Sequence, residues 1–303
     1  MFDKFDNFVG YGDAGCRIVR AIRATCADQN RKYFYIGTEE NVDKEGLLVV
    51  PVNLDPVQQE KHTPVVRLNA LFRAIKGNTL VVLAGTGKIV PSSLRTLEIL
   101  SKKISSENLN ILYVRPEEMN NANESRKNMD RLTFGVLQEY VRSGECARIF
   151  VTSNSMMELA LDGLSLTNYH EKINALLAFS ILSVESLLTF KPVYGTIGKL
   201  PEKNRIFCLG VFDVNDGEEK WYYDPMFKLE YASSNSAYLF ALNRKSLDDP
   251  QTLSRVREIV NNKSDLRNKV SYAVYDAEFL QNDYGFCLSV FDEPLLYEAS
   301  LNK

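Results

Sequence analysis

Short apolar blocks recur through the first half of the chain, each closed by a small-residue or polar turn and followed by apolar positions at helical spacing. Phe8 and Val9 lead into Gly10-Tyr11-Gly12-Asp13-Ala14-Gly15, and Ile18, Val19 and Ile22 then mark one face of a helix. A run buried on both sides that feeds such a stripe reads as a strand entering a helix. The pattern predicts further strands over 32–40, 47–52, 110–116 and 148–151, with a strand and a small-residue turn over 79–90. It predicts helices over 66–76, from Pro91-Ser92-Ser93 through Leu100, over 125–142 and over 154–162, and it reads 53–66, with Pro56 and Pro64, as irregular. Strands that alternate with helices imply a parallel sheet covered on both faces.

From 168 to 190 the pattern becomes one long apolar helix carrying Tyr169, Ile173, Leu176, Leu177, Ser180, Ile181, Val184 and Leu188, with a centre almost without polar residues. A stripe that wide belongs between two layers. Beyond Pro192 strands dominate: 205–212 and 220–223 around the turn Asn215-Asp216-Gly217 read as a hairpin, followed by 237–243, a helix at 250–263, 269–275 and 284–291. The chain therefore divides into a Rossmann-like parallel-sheet α/β domain (1–167), a long central helix (168–190) and a smaller mixed-sheet C-terminal domain (191–303).

Composition narrows the chemistry. With 303 residues, 45% hydrophobic and 25% charged, the core needs no metal or disulfide to hold it. A net charge of -3 gives no general attraction to nucleic acid or to anionic lipid. No apolar run approaches membrane-spanning length, and the start Met-Phe-Asp-Lys has no signal pattern. The scattered Cys16, Cys26, Cys146, Cys208 and Cys287 read as reduced thiols of a cytoplasmic protein. Two histidines, His62 and His170, and no cysteine pair make a zinc or histidine-based catalytic site improbable.

Gly10, Gly12 and Gly15 have the G-x-G-x-x-G spacing. They serve either to pack a helix closely on the sheet or to bring backbone amides up to a phosphate. Asp13 reads as a cap of the first helix. A second turn, Ala84-Gly85-Thr86-Gly87-Lys88, lacks the Walker spacing because Ile89 follows the lysine. Two such turns at strand C-termini would lie side by side, where ligands of open α/β sheets bind. Asn154 reads as the N-cap of its short helix, and the aromatic run 221–227 as packing or a subunit contact.

Taken in order, these segments resemble the tubulin/FtsZ superfamily over nearly the whole chain. Gly10–Val19 looks like that family's first phosphate loop, and Ala84–Lys88 like a shortened form of its G-G-G-T-G-T-G signature. Glu124-Ser125-Arg126-Lys127 resembles E-G-K-K, whose Glu contacts ribose; 149–159 is similar to the strand-to-helix segment that follows, and 168–190 looks like the central helix. The resemblance implies binding of GTP or GDP, with Mg, by Gly10, Gly12, Ala14, Gly15, Gly85, Thr86, Gly87, Glu124 and Arg126. Tyr169 would stack on guanine and Asn174 would read it. It also implies longitudinal self-association in a bacterial or phage-infected cytoplasm, as in phage- or plasmid-type members, with no nucleic-acid or membrane partner. The segment 269–291 resembles the last two strands of the family's second domain.

Two departures bear on hydrolysis. The second turn has lost glycines, and Lys88 either compensates with its charge or points to solvent. The family's acidic loop after the central helix, N-x-D-x-x-D, is here Phe190-Lys191-Pro192-Val193-Tyr194-Gly195-Thr196-Ile197-Gly198-Lys199-Leu200-Pro201, without a carboxylate. The acids of 213–219 read first as part of a turn. The implication is a degenerate GTPase at most, with no catalytic residue assigned. A second reading keeps the fold as a structural or regulatory binding protein without nucleotide. A third, a nicotinamide-dependent oxidoreductase, would use Glu39 for the ribose.

Overall fold

In the computed structural model, residues 4–38, 47–52, 55–115, 124–159, 161, 164–198, 206–215, 234–264, 269–278 and 280–291 are described. The apolar blocks of the first half become β1 (Asn7–Tyr11), β2 (Lys32–Gly37), β3 (Leu47–Val49), β4 (Thr79–Ala84), β5 (Leu109–Arg115) and β6 (Arg148–Ser153). They pair in parallel in the order β3-β2-β1-β4-β5-β6. β1 and β5 are buried along their whole length, which is why they carry no alternation of apolar and polar residues.

Helices cover both faces. On one, α1 (Gly12–Thr25) sets Ile18, Val19 and Ile22 against Leu80, Val82 and Phe150. On the other lie α3 (Val65–Phe72), α4 (Ser93–Ser101) and α5 (Glu124–Ser143), whose Leu68, Phe72, Leu97, Phe134 and Leu137 meet Val81, Leu83, Ile111 and Tyr113. The short α2 (Pro56–Lys61) occupies part of the stretch read as irregular. Asp55 caps it, accepting from the Val57 and Gln58 amides, and Pro56 takes the first turn, where no amide is needed. The proline that suggested a break is a helix start.

After α6 (Asn154–Leu159) comes α7 (Tyr169–Thr189), which packs along α1 and buries Ile173, Leu177, Ile181 and Val184. Its centre is less apolar than the sequence suggests, because Ser180, Ser183 and Glu185 are also buried. Glu185 pairs with Arg31 Nη2 at 2.7 Å and accepts the Phe5 amide. Helix α7 is also long and apolar enough, by length and composition alone, to cross a membrane, which corrects the expectation that no run is. Here its apolar face lies on the sheet and its carboxylate is tied to the start of β1.

The same sheet continues into the second half. β8 (Ile206–Asp213) joins β6 through Ile149↔Ile206, Phe150↔Phe207 and Val151↔Cys208. Beyond it stand β11 (Tyr284–Phe291), β9 (Ser234–Leu242), β10 (Lys269–Asp276) and the edge strand β7 (Tyr194–Thr196). α8 (Arg244–Leu247) and α9 (Pro250–Lys263) follow β9, and Val256 and Ile259 of α9 pack on Tyr238 and Phe240. The last two strands are not neighbours: β9 lies between them, antiparallel to β11 and parallel to β10. A parallel pair needs a crossover, and α8 with α9 supplies it. Among the described residues β8 pairs with β6 and β11; residues 216–233, which include 220–223 and 221–227, lie outside them.

Breaking one partner of a buried ion pair strands the other. Glu185→Ala is expected to lose roughly 3–5 kcal/mol of stability, read as a lower urea midpoint. A loss below about 1 kcal/mol would mean that the Arg31 pair does not anchor α7.

Candidate functional site

The strand order reverses between β1 and β4. From β1 the chain goes through α1 to β2 on one face, and from β4 through α4 to β5 on the other. Diverging connections open a crevice beyond the strand C-termini at that point. Both glycine turns leave there, since β1 and β4 are parallel neighbours with Gly10 opposite Val82.

The three glycines of the first turn do different work. A Cβ on Gly15 would stand 2.4 Å from the Val82 carbonyl oxygen, and one on Gly10 2.7 Å from the Gly15 oxygen. These two let α1 sit against the sheet. Gly12 has a φ of +71°, and a Cβ there would meet nothing nearer than Ile89 Cγ1, at 4.0 Å. It opens on space at the first residue of α1, with the exposed Ala14 beside it.

No side chain caps α1: Tyr11 occupies the capping position and turns away. Its hydroxyl lies 2.7 Å from Ser92 Oγ, and both hydroxyls sit within donating distance of the Ile89 carbonyl, at 3.1 and 2.8 Å. Tyr11 therefore ties the first turn to the second, and among the described residues no side chain caps the first amides of α1. Burial pushes the Tyr11 phenol up to about 12, against the smaller pull of Ser92 and Thr96. Asp13, expected as a cap, instead accepts the buried Thr38 hydroxyl at 3.0 Å and holds the end of β2. Cys16 donates weakly to the Gly10 and Ile36 carbonyls, and burial raises its thiol to about 11, so it stays neutral.

The second turn offers less backbone than its composition suggests. The Gly85 amide is already donated to the Val114 carbonyl at 2.9 Å, while Thr86 is half-buried and Gly87 and Lys88 are exposed. α4 begins without a side-chain cap, and the buried Ser93 hydroxyl in its first turn has no hydrogen-bond partner among the described residues.

Glu124, the first residue of α5, is exposed and lies 3.9 Å from Arg131; Arg126 is exposed one position beyond Ser125. Tyr169 opens α7 and its hydroxyl is held by Glu158 of α6. Asn174 is half-buried, and its amide makes no hydrogen bond among the described residues. Asn154 is the first residue of α6. Glu39 and 216–219 lie outside the described residues. Two groups were missed in the sequence. One is the Tyr11 latch, whose only signal is an aromatic where a helix start normally carries Ser, Thr, Asp or Asn. The other is a buried cluster at the end of β5, in which Arg115 pairs with Asp130, Asp130 accepts the Tyr113 hydroxyl at 2.8 Å, and Tyr113 stacks on Phe134. Residues fifteen and more apart in sequence gave no local sign of it.

A sheet whose strand order reverses between β1 and β4, with an uncapped helix start at that point, defines a class: doubly wound α/β proteins. The particular fold is that of the tubulin/FtsZ superfamily. FtsZ of M. jannaschii (W319Y mutant) superposes with a TM-score of 0.66 at 14% identity, over 94% of this chain and 90% of that one. TubZ-Bt, in a four-stranded filament, gives 0.72 at 12% identity over 97% and 88%. CetZ1 from Haloferax volcanii, a GDP-bound monomer, gives 0.67 at 13% identity over 97% of each chain. No protein-family model matches the sequence, and no curated protein matches it.

The latch has a pH signature. With its folded pKa raised from 10.0 to about 12, Tyr11 binds its proton more tightly folded than unfolded. Its contribution is whole below the unfolded pKa and declines as pH rises through the folded one. Tyr11→Phe is expected to lower stability by about 1 kcal/mol at neutral pH and to lose less than wild type on going to alkaline pH, read by urea melts. Parallel alkaline profiles would contradict the buried phenol.

Proposed function

We propose that this chain binds a guanine nucleotide across the two glycine turns and associates head to tail with copies of itself, hydrolysing GTP weakly or not at all. The observation that carries the reading is the uncapped start of α1, opening through Gly12 onto space beside the second turn. Unpaired amides and the positive end of the helix dipole suit the phosphates. Tyr169 and Asn174, at the start of α7, would receive the base, and Glu124 the ribose. Among the described residues no group of three His, Cys, Asp or Glu side chains could hold a metal. A Mg²⁺ here would arrive with the phosphates, and Asp13 is the carboxylate that the first turn offers it.

The surfaces support association. Val57 is exposed on α2, whose Gln59 donates at 3.4 Å to Ser92 Oγ, just after the second turn, and Val66 is exposed on α3. Phe190 and Val193 are exposed beyond the opposite end of α7, whose Glu185 marks the start of β1. Two unlike apolar patches at opposite ends favour a heterologous contact, which repeats into an open filament. The relatives' own descriptions, a filament of TubZ-Bt and a GDP-bound CetZ1, agree with both halves of the proposal. Weak hydrolysis follows from the segment after α7: its described part, 190–198, presents aromatic and apolar side chains where a carboxylate would be needed to polarise water. In this reading residues 1–167 form the nucleotide domain, 168–190 its central helix and 191–303 the second domain.

A second reading, the same fold without nucleotide, draws support from the Gly85 amide spent on Val114. Chromatography of the heat-denatured, purified chain separates the two: released GDP or GTP is expected, and an empty chain that also fails to bind added GTP sinks the proposal. Phe190→Asp is expected to abolish sedimentation of assemblies while leaving nucleotide binding intact. Undiminished pelleting of that variant would remove the apolar end contact.

A further inference from the structure

The second turn poses a problem of charge. Its strand-end amide, at Gly85, is bonded to Val114, and Asp13 adds a negative charge to the first turn. A phosphate chain placed over Gly12 would meet amides of α1 on one side. On the other it would meet the residues next to Ile89, the nearest neighbour of a Cβ built on Gly12. Lys88 is the residue immediately before Ile89. It is exposed and forms no hydrogen bond or ion pair among the described residues, unlike Lys4 and Lys102, which pair with Asp28 and Glu98. Its position is held firmly: Ile89 and Val90 are buried, the Ile89 carbonyl is gripped by Tyr11 and Ser92, and the Val90 amide bonds the Gly87 carbonyl. A flexible ammonium on a fixed base, at the rim of the crevice and without an internal partner, is suited to meet an anion.

We infer that Lys88 is the phosphate-chain cation of this site, binding the terminal phosphate of the nucleotide with a charge-assisted hydrogen bond beside a turn whose Gly85 amide is already spent on Val114. The inference rests on the guanine-nucleotide reading above. It makes affinity depend on the phosphate chain and on ionic strength, because one contact is an exposed ion pair. It also separates phosphate recognition, through Lys88, from recognition of the base at α7.

Calorimetric titration of the full-length chain with GTP, GDP and guanosine tests it, using wild type, Lys88→Gln and Lys88→Arg. Lys88 is exposed, so both variants should melt as wild type does. Lys88→Gln is expected to weaken GTP binding about 10- to 100-fold and leave guanosine unchanged. Lys88→Arg should keep GTP within about 3-fold of wild type, and the deficit of the Gln variant should shrink as salt is raised. Wild type binding GTP with Lys88→Gln equal to it overturns the role of Lys88 alone. Equal weakening toward guanosine also overturns it, since that would be a structural effect. A wild-type chain that binds none of the three overturns the nucleotide reading and this assignment with it.

Discussion

The close seating of α1 on β4 is the constraint on which the rest of the molecule depends. Gly15 brings the helix backbone so near the sheet that even a methyl group would stand 2.4 Å from the Val82 oxygen. That approach carries the start of α1 over the β1–β4 boundary, where the strand order reverses and the crevice opens. It also lets α7 pack along α1, with Glu185 and Arg31 fixing its far end to the beginning of β1. Helix, crevice and rod thus share one origin in a missing side chain.

Tyr11 decides what this packing leaves open. A Ser or Asp in its place would cap α1 and consume the amides a ligand needs. The tyrosine instead reaches across to Ile89 and Ser92, so one side chain leaves the helix start open and holds the second turn beside it. The division of labour among the glycines follows: Gly10 and Gly15 serve packing, and Gly12 faces the opening.

Much of this was legible in the sequence, and the reason is physical. Strands buried on both faces must be continuously apolar, so β1, β4, β5 and β6 announced themselves, and the small-residue turns after β1 and β4 located the crevice. Helix α9 was legible over 250–263, where Asp249 and Pro250 start it as a cap and first turn require. What remained hidden depends on contacts distant in sequence. The insertion of β9 between β10 and β11 is set by the crossover through α8 and α9, which two apolar runs adjacent in sequence do not reveal. The charge of Glu185 vanishes inside an apolar stripe until Arg31 is brought to it. The short α2 was lost because a proline reads as a break unless the aspartate before it is recognised as a cap.

Amide hydrogen exchange of the α1 start, with and without GDP, tests most directly whether that open helix end is the phosphate site. The amides of Gly12, Asp13 and Ala14 are expected to exchange rapidly in the nucleotide-free chain and to slow by an order of magnitude or more, ~10-fold, when GDP is added in excess. Amides deep in β5 should not change. Protection that is already high without nucleotide, or that GDP leaves unaltered while it binds, would contradict the claim.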